Sequence, residues 1–413
     1  MTDLADAHLR ALSVCDPGRP LRCISAKRGS EMNEMTTIQE RAGVWRAPGR
    51  ANLMGEHTDY NQGLVLPFAI AQGVTVTAVR RDDGLLVLRS RQEPGQTAAV
   101  ALDSLAPGAV TGWAAYPAGV AWALREAGHR VPGATIGVNS DLPAGAGLSS
   151  SAGLECATAL ALTGLAGLSV PRPELVELTR RAENEFIGVP SGIMDQSASL
   201  LCETGHVLLL DCGTRETSQV PFDPAVAGAG LLVIDTRAGH AHAGGDYARR
   251  RAECEEAARL MGVPFLGCLT DADDVGRLAD PVLRRRARHV VTDSARVLAA
   301  VDLLRSAPAD PGAYQEIGAL LAAAHRSLRY DFEVSWPQAD VTVDAAVAAG
   351  ALGARMIGGG FGGSVLALVP ADAGPAVRRA IADAFARQGW AAPEFIATVP
   401  SGGASRADTR IGR

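Results

Sequence analysis

Lysine is all but missing from this chain. Lys27 is the only one in 413 residues, and apart from eight histidines every other basic residue is arginine. Any mechanism that requires a lysine must use Lys27 or be abandoned. Aromatic residues are sparse, at 4%. The seven cysteines (Cys15, Cys23, Cys156, Cys202, Cys212, Cys254 and Cys268) are odd in number, loosely spaced and contain no C-x-x-C pair. That pattern argues against a disulfide framework or a zinc site and fits a reducing cytoplasm, the expected location. No apolar run is long enough to cross a bilayer, the stretch around Cys156 to Leu168 being short and broken by Thr and Gly. The first twenty residues carry Asp, His and Arg and lack the apolar core of a secretory signal. Positive charge is in deficit, with a net charge of −6. Neither a nucleic acid nor a membrane is therefore expected as partner. A polyanionic ligand would have to meet local positive charge from a few arginines, helix N-termini or metal ions.

What is present is ordinary globular composition, 47% hydrophobic and 20% charged, in a chain long enough for two domains. Residues 1–43 show no period and read as a flexible N-terminal extension; Met32 and Met35 are alternative starts to Met1. Pattern begins at Val44-Trp45. Gly73 to Ser90 alternates apolar and polar and breaks at Asp82-Asp83-Gly84, which predicts a hairpin. Helical spacing covers Trp113 to Ala127, stopping at Gly128, and Pro173 to Phe186 and Asp246 to Met261 also read as helices. Short strands are expected at Ala134 to Asn139, His206 to Asp211 and Leu231 to Asp235. Strands and helices do not alternate regularly, so the fold class is α+β rather than doubly wound α/β. A boundary between Asp211 and Pro224 divides the chain into domains 44–218 and 219–413.

Four clusters could carry chemistry. Gly49 to Asn61 packs Arg50, Glu56, His57, Asp59, Tyr60 and two Asn into thirteen residues. Such a density of side-chain oxygens suits a polyol, whose hydroxyls both donate and accept; a solvated turn fits the composition equally well. Pro143 to Ala152 is a small-residue loop running through Gly145, Ala146, Gly147, Leu148, Ser149, Ser150 and Ser151 into a helix. Close main-chain approach and a helix N-terminus favour a phosphate there, although the segment lacks the lysine of a P-loop. Glu183 and Asp195 could serve as a metal ligand and a group at the substrate, an exposed helix Glu and an N-cap Asp being the plainer reading. Gly358, Gly360 and Gly363 match G-x-G-x-x-G, but a strand follows rather than a helix, so a dinucleotide site is excluded. His240-Ala241-His242 has no apparent partner ligand and reads as surface histidines.

In this order the clusters resemble the galactokinase branch of the GHMP kinases. Gly49 to Tyr60 is similar to its sugar signature almost position for position, Pro143 to Ala152 to its ATP motif, and Gly358 to Gly363 to its third motif. Gly192 to Gln196 and Tyr247 to Arg251 also look like family segments, so the resemblance spans roughly residues 44–370. It implies a two-domain α+β architecture with the active site in the interdomain cleft. It further implies ATP-dependent phosphorylation of the C1 hydroxyl of galactose. Glu56, His57, Thr58, Asp59, Gly192 and Tyr247 would then bind the sugar, and residues 145–151 would cradle ATP. Ser151 and Glu183 would hold Mg²⁺, with Asp195 facing the anomeric hydroxyl beside Arg50. Arg50 offers a fixed, permanently charged fork of donors. Asp195 would accept the hydroxyl proton, or would only orient the hydroxyl while Arg50 stabilises charge. A monomer is expected. Ile357, Ser364 and Asp246 depart from the usual family residues. A mevalonate-type kinase would need a lysine in its first motif, and homoserine kinases lack the Glu-His-Thr-Asp loop. The remaining alternatives are a kinase for a related sugar such as N-acetylgalactosamine and a sugar sensor without turnover.

Overall fold

The computed structural model describes residues 41–143, 145–239 and 243–407. The expected extension 1–43 lies outside these residues except for its end, where Ala42 and Gly43 already belong to the first strand. Lys27 and His240-Ala241-His242 also lie outside them.

In chain order the elements are β1 (Ala42–Asn52), β2 (Leu64–Val65), β3 (Pro67–Arg81), β4 (Leu85–Ser90), β5 (Thr97–Ala101), α1 (Ala115–Glu126), β6 (Gly133–Ser140), α2 (Ser150–Leu165), α3 (Arg172–Arg181), α4 (Met194–Leu201), β7 (His206–Asp211) and β8 (Thr217–Pro221). There follow β9 (Ala229–Asp235), α5 (Ala243–Met261), α6 (Pro281–Ser306), α7 (Pro311–Tyr330), α8 (Pro337–Ala348), β10 (Gly353–Ile357), β11 (Ser364–Pro370), α9 (Gly374–Gln388), β12 (Glu394–Thr398) and β13 (Ser405–Arg406). Strands and helices mix without βα alternation, an α+β fold.

The first sheet has the order β13-β1-β3-β6-β4-β5. The expected hairpin over Gly73 to Ser90 is therefore a chain reversal but not a paired hairpin. Strand β6 lies between its arms, antiparallel to β3 and parallel to β4. A parallel pair needs a long crossover, here supplied by β5 and α1. Helix α2 covers β1 and β3 through a run of small buried residues, Ala157 and Ala161 among them. A second antiparallel sheet has the order β10-β11-β9-β12, and β2-β7-β8 forms a third.

The 218/219 boundary falls inside β8. The two halves also share the main core. Val297 and Leu304 of α6 and Ile317 and Leu321 of α7 join Phe68, Phe222 and Leu162 in one buried cluster. Each fully buried leucine there contributes roughly 1.5–3 kcal/mol relative to exposure. Helices α6 and α7 each open on an Asp-Pro pair. Asp280 accepts from the amides of Val282 (2.7 Å) and Leu283 (3.1 Å), and Asp310 from Gly312 (3.0 Å). Proline at the first helical position has no amide to lose.

Candidate active site

The register of β1 against β3 shifts between Pro48 and Arg50. A bulge of this kind turns a side chain away from the strand's alternation. Arg50, almost wholly buried, leaves the sheet and meets Asp195 at the start of α4. Its Nε and Nη2 donate to Asp195 Oδ1 (2.8 Å) and Oδ2 (3.0 Å), and its Nη1 donates to the Gly147 carbonyl (2.7 Å). This is the bidentate geometry that a lysine could not supply. The Asp195 and Glu56 carboxylates raise the Arg50 pKa against burial, so its charge is fixed.

The 145–149 loop passes through the left-handed region at alternate residues, Gly145 (φ 74°), Gly147 (φ 71°) and Ser149 (φ 58°). Such alternation gathers successive amides into a concavity for anions. The buried side chains of Ala146 and Leu148 anchor the loop in the core. Its carbonyls are held as well: Leu148 accepts from the Arg50 amide (3.2 Å) and Ala146 from Ser364 Oγ (2.7 Å). Ser364, unusual for the family resemblance, thus ties this loop to the third glycine segment. Ser149 stands at the N-cap of α2 without capping it, its hydroxyl donating instead to Asp195 Oδ2 (2.5 Å). Arg50, Pro143, residues 145–151, Asp195 and Gly359 line one pocket of about 290 Å³. The helix N-terminus and the loop amides give it the positive potential a polyphosphate needs.

Glu183 lies in a single π-helical turn (Ala182–Ile187) continuing α3. Its Oε2 accepts from Ser191 Oγ (2.7 Å) and Gln196 Nε2 (2.8 Å). Burial pushes its pKa up, and hydrogen bonds from Ser191, Gln196 and Ser151 oppose that. Gln196 Nε2 also donates to Glu155 (3.0 Å), a fully buried carboxyl held well above the usual range by burial and by Glu183. Among the described residues no group of three His, Cys, Asp or Glu side chains could form a metal cage.

The 53–61 loop also approaches Arg50, since the Glu56 and Asp59 carboxylates act on its charge. Asp59 abuts Gly192 so closely that a Cβ on Gly192 would lie 1.7 Å from Asp59 Oδ2. Burial, reinforced by the neighbouring Asp195 charge, raises the Asp59 pKa to about 7. His57 Nδ1 is 2.9 Å from the Tyr60 hydroxyl, and its ring packs near Tyr247 (5.6 Å) and Phe332 (4.8 Å). Its Nε2 is buried beside the Gly359 backbone with no bond of good geometry. Burial, with His289 next in weight, holds the His57 pKa down to about 3, so the ring is neutral. Tyr247 also meets Tyr60 (5.5 Å) and lies against Gly359.

Two residues expected to bind the sugar also have polar atoms held within the protein. The Thr58 hydroxyl is fully buried and lies within hydrogen-bond distance of the Gly55 (2.8 Å) and Leu64 (2.7 Å) carbonyls, closing the loop on itself. Glu56 Oε1 accepts from the Gly358 amide (2.8 Å) and faces Arg355 Nη2 (2.9 Å) in a buried ion pair whose angles do not make a hydrogen bond. Sequence reasoning passed over Arg355, His289 and Asp293. Arg355 donates to the Leu53 carbonyl (3.1 Å), Asp293 accepts from the Gly55 amide (3.0 Å), and His289 donates to the Glu56 carbonyl (2.9 Å). The Asp-Pro start of α6 was the available signal for the helix that carries two of them.

Comparisons with known proteins give the chain's family and fold. The family model for the GHMP kinases N terminal domain matches residues 115–203, that for the galactokinase galactose-binding signature residues 35–81, and that for the GHMP kinases C terminal region residues 300–387. A galactokinase of Streptomyces coelicolor is 50% identical over 371 residues, 89% of this chain and 95% of the relative. One of Mycobacterium tuberculosis is 44% identical over 361 residues, covering 87% and 98%. In structure the chain is similar to Lactococcus lactis galactokinase complexed with galactose, with a TM-score of 0.84 at 32% identity over 92% of this chain and all of that one. It shares its fold with Methanococcus jannaschii mevalonate kinase, at TM-score 0.63 and 15% identity over 86% and 98% of the two chains.

Proposed function

The chain belongs to the galactokinases of the GHMP kinase family, and from that premise we propose how its cleft carries out the reaction. The activity is phosphorylation of galactose with ATP as co-substrate. Our reading of the site is that the γ-phosphoryl group goes to the C1 hydroxyl and that Asp195 receives that hydroxyl. The bidentate Arg50–Asp195 pair carries this reading, because it lines the phosphate-type pocket and also interacts electrostatically with Asp59 of the 53–61 loop.

A carboxylate has about four acceptor positions. Arg50 and Ser149 fill three of those on Asp195 and leave one on Oδ1. A C1 hydroxyl donating there loses its proton to Asp195 as its oxygen bonds to the γ-phosphorus. The bond from that phosphorus to the bridging oxygen breaks, and ADP departs with the electron pair. Phosphoryl transfer asks the protein chiefly for position and charge stabilisation. Arg50 supplies charge beside the transferred group, and the amides at the start of α2 face the phosphates. Asp59 and the unpartnered Nε2 of His57 recognise sugar hydroxyls, with Tyr247 and Gly192 shaping the wall.

Ser151 and Glu183 fit Mg²⁺. They are hard oxygen donors side by side, and Mg²⁺ bound with ATP needs only one or two carboxylates beside phosphates and water. When bound, Mg²⁺ would neutralise charge on the β- and γ-phosphates. We place the enzyme in the cytoplasm as a monomer. An assay of ADP release with ATP, Mg²⁺ and a panel of hexoses tests the reading. Turnover of galactose but not of N-acetylgalactosamine is expected. Turnover of the acetylated sugar at comparable kcat/KM would overturn the substrate assignment, and galactose binding without ADP release would make the protein a sensor.

A further inference from the structure

Two residues of the sugar loop have left-handed backbones, Gly55 (φ 88°) and His57 (φ 63°). For a non-glycine residue this conformation is uncommon, histidine tolerating it better than most, and contacts that hold the adjoining peptide favour it. The angle φ of His57 is set by the plane of the Glu56–His57 peptide, which is rigid. The carbonyl of that peptide is held by His289 Nε2, and the Gly55 amide by Asp293 one turn further along α6. Both gripping side chains are fully buried. A carbonyl only accepts, so Nε2 must carry the proton. The Ser327 hydroxyl lies 3.0 Å from Nδ1, with Asp331 Oδ2 3.1 Å away as a second acceptor for its single proton. Phe332 completes the link, with its ring 4.8 Å from His57 and 4.6 Å from His289.

We propose that His289, seconded by Asp293, is a positioning residue for sugar recognition: it fixes the Glu56–His57 peptide plane and so aims the His57 imidazole at the sugar. The assignment rests on the reading of His57 as a sugar-binding residue. Neither α6 residue lines the phosphate-type pocket, so loss of the grip should fall on galactose and spare ATP.

The test compares wild type with His289→Phe, which keeps a ring against Phe332 but loses the donor, and His289→Gln, whose amide can donate to the same carbonyl. The readouts are KM for each substrate, galactose affinity by calorimetry without nucleotide, and Tm. Loss of one buried hydrogen bond predicts a galactose KM and Kd raised roughly tenfold in His289→Phe. The ATP KM should stay within about twofold, and His289→Gln should recover most of the loss. Equal effects on both substrates, or an unchanged galactose Kd, would overturn the assignment. If His289→Phe does not fold, His289→Asn decides. Its shorter amide falls short of the Glu56 carbonyl, so the galactose Kd should rise several-fold with the ATP KM unchanged, and an unchanged galactose Kd would overturn the proposal. Galactose turnover by the wild type tests the underlying reading separately from the ratio between variants.

Discussion

Replacing Gly192 with alanine puts the contact with Asp59 to a sharp test. Gly192 has an ordinary backbone conformation, so alanine introduces no backbone strain there. The added Cβ would instead lie 1.7 Å from Asp59 Oδ2, 2.3 Å from Cγ and 3.1 Å from Cβ. Because the whole side chain is obstructed, turning the carboxylate about its last bond cannot relieve the overlap. The carboxylate must retreat by roughly 1.5–2 Å to reach ordinary contact, farther than a hydrogen bond to a bound hydroxyl can stretch. Hydrogen bonds to charged groups contribute about 1.5–3 kcal/mol, so kcat/KM for galactose should fall roughly 10- to 150-fold. The ATP KM should barely move, since neither Asp59 nor Gly192 lines the phosphate-type pocket. Initial-rate kinetics with each substrate varied, together with calorimetry of galactose alone, would measure this. A galactose Kd within twofold of wild type would show that Asp59 does not bind the sugar.

The remaining predictions concern protons and metal. Asp59, with its pKa raised to about 7, takes up a proton across a range where ordinary carboxyls are already ionised. If sugar binding needs the carboxylate, galactose Kd should be flat above pH 8 and about tenfold weaker at pH 6. A flat profile from pH 6 to 8 would separate Asp59 from binding. The same group binds its proton more tightly folded than unfolded, so its contribution to stability declines as pH rises from about 4 to about 7. Glu183→Gln should raise the Mg²⁺ concentration needed for half-maximal rate by roughly tenfold or more. It should also weaken Mn²⁺ binding followed by electron paramagnetic resonance, and unchanged Mn²⁺ affinity would remove Glu183 from the metal site.

The parts of this site that could be read in the sequence are those built from local constraint. Glycines at 145 and 147 and the crowded polar loop 49–61 announce themselves because unusual backbone or dense side-chain oxygens need particular residues at fixed spacing. Pairing was less legible. The turn at Asp82-Asp83-Gly84 reverses the chain, but β6 inserts between β3 and β4, a pairing with residues some fifty positions further on that no local signal marks. The grip on the sugar loop was not legible at all. It is made by hydrogen bonds spanning 233 residues from His289, 238 from Asp293 and 302 from Arg355. A buried His or Asp on a helix carries no local sign of a partner so remote. Glu56 and Thr58 show the converse, since the motif marks them but the Thr58 hydroxyl and one Glu56 carboxylate oxygen are engaged within the protein.

The Arg50–Asp195 pair is the centre of this account, and Asp195→Asn tests it most directly. The amide keeps the shape of the side chain but cannot take a proton from the sugar. General-base contributions are about 10²- to 10⁴-fold. Single-turnover phosphorylation should therefore slow by roughly a thousandfold, while calorimetry shows galactose and ATP binding within about threefold of wild type. Phosphoryl transfer at near wild-type rate would contradict the account, as would loss of turnover explained wholly by loss of binding.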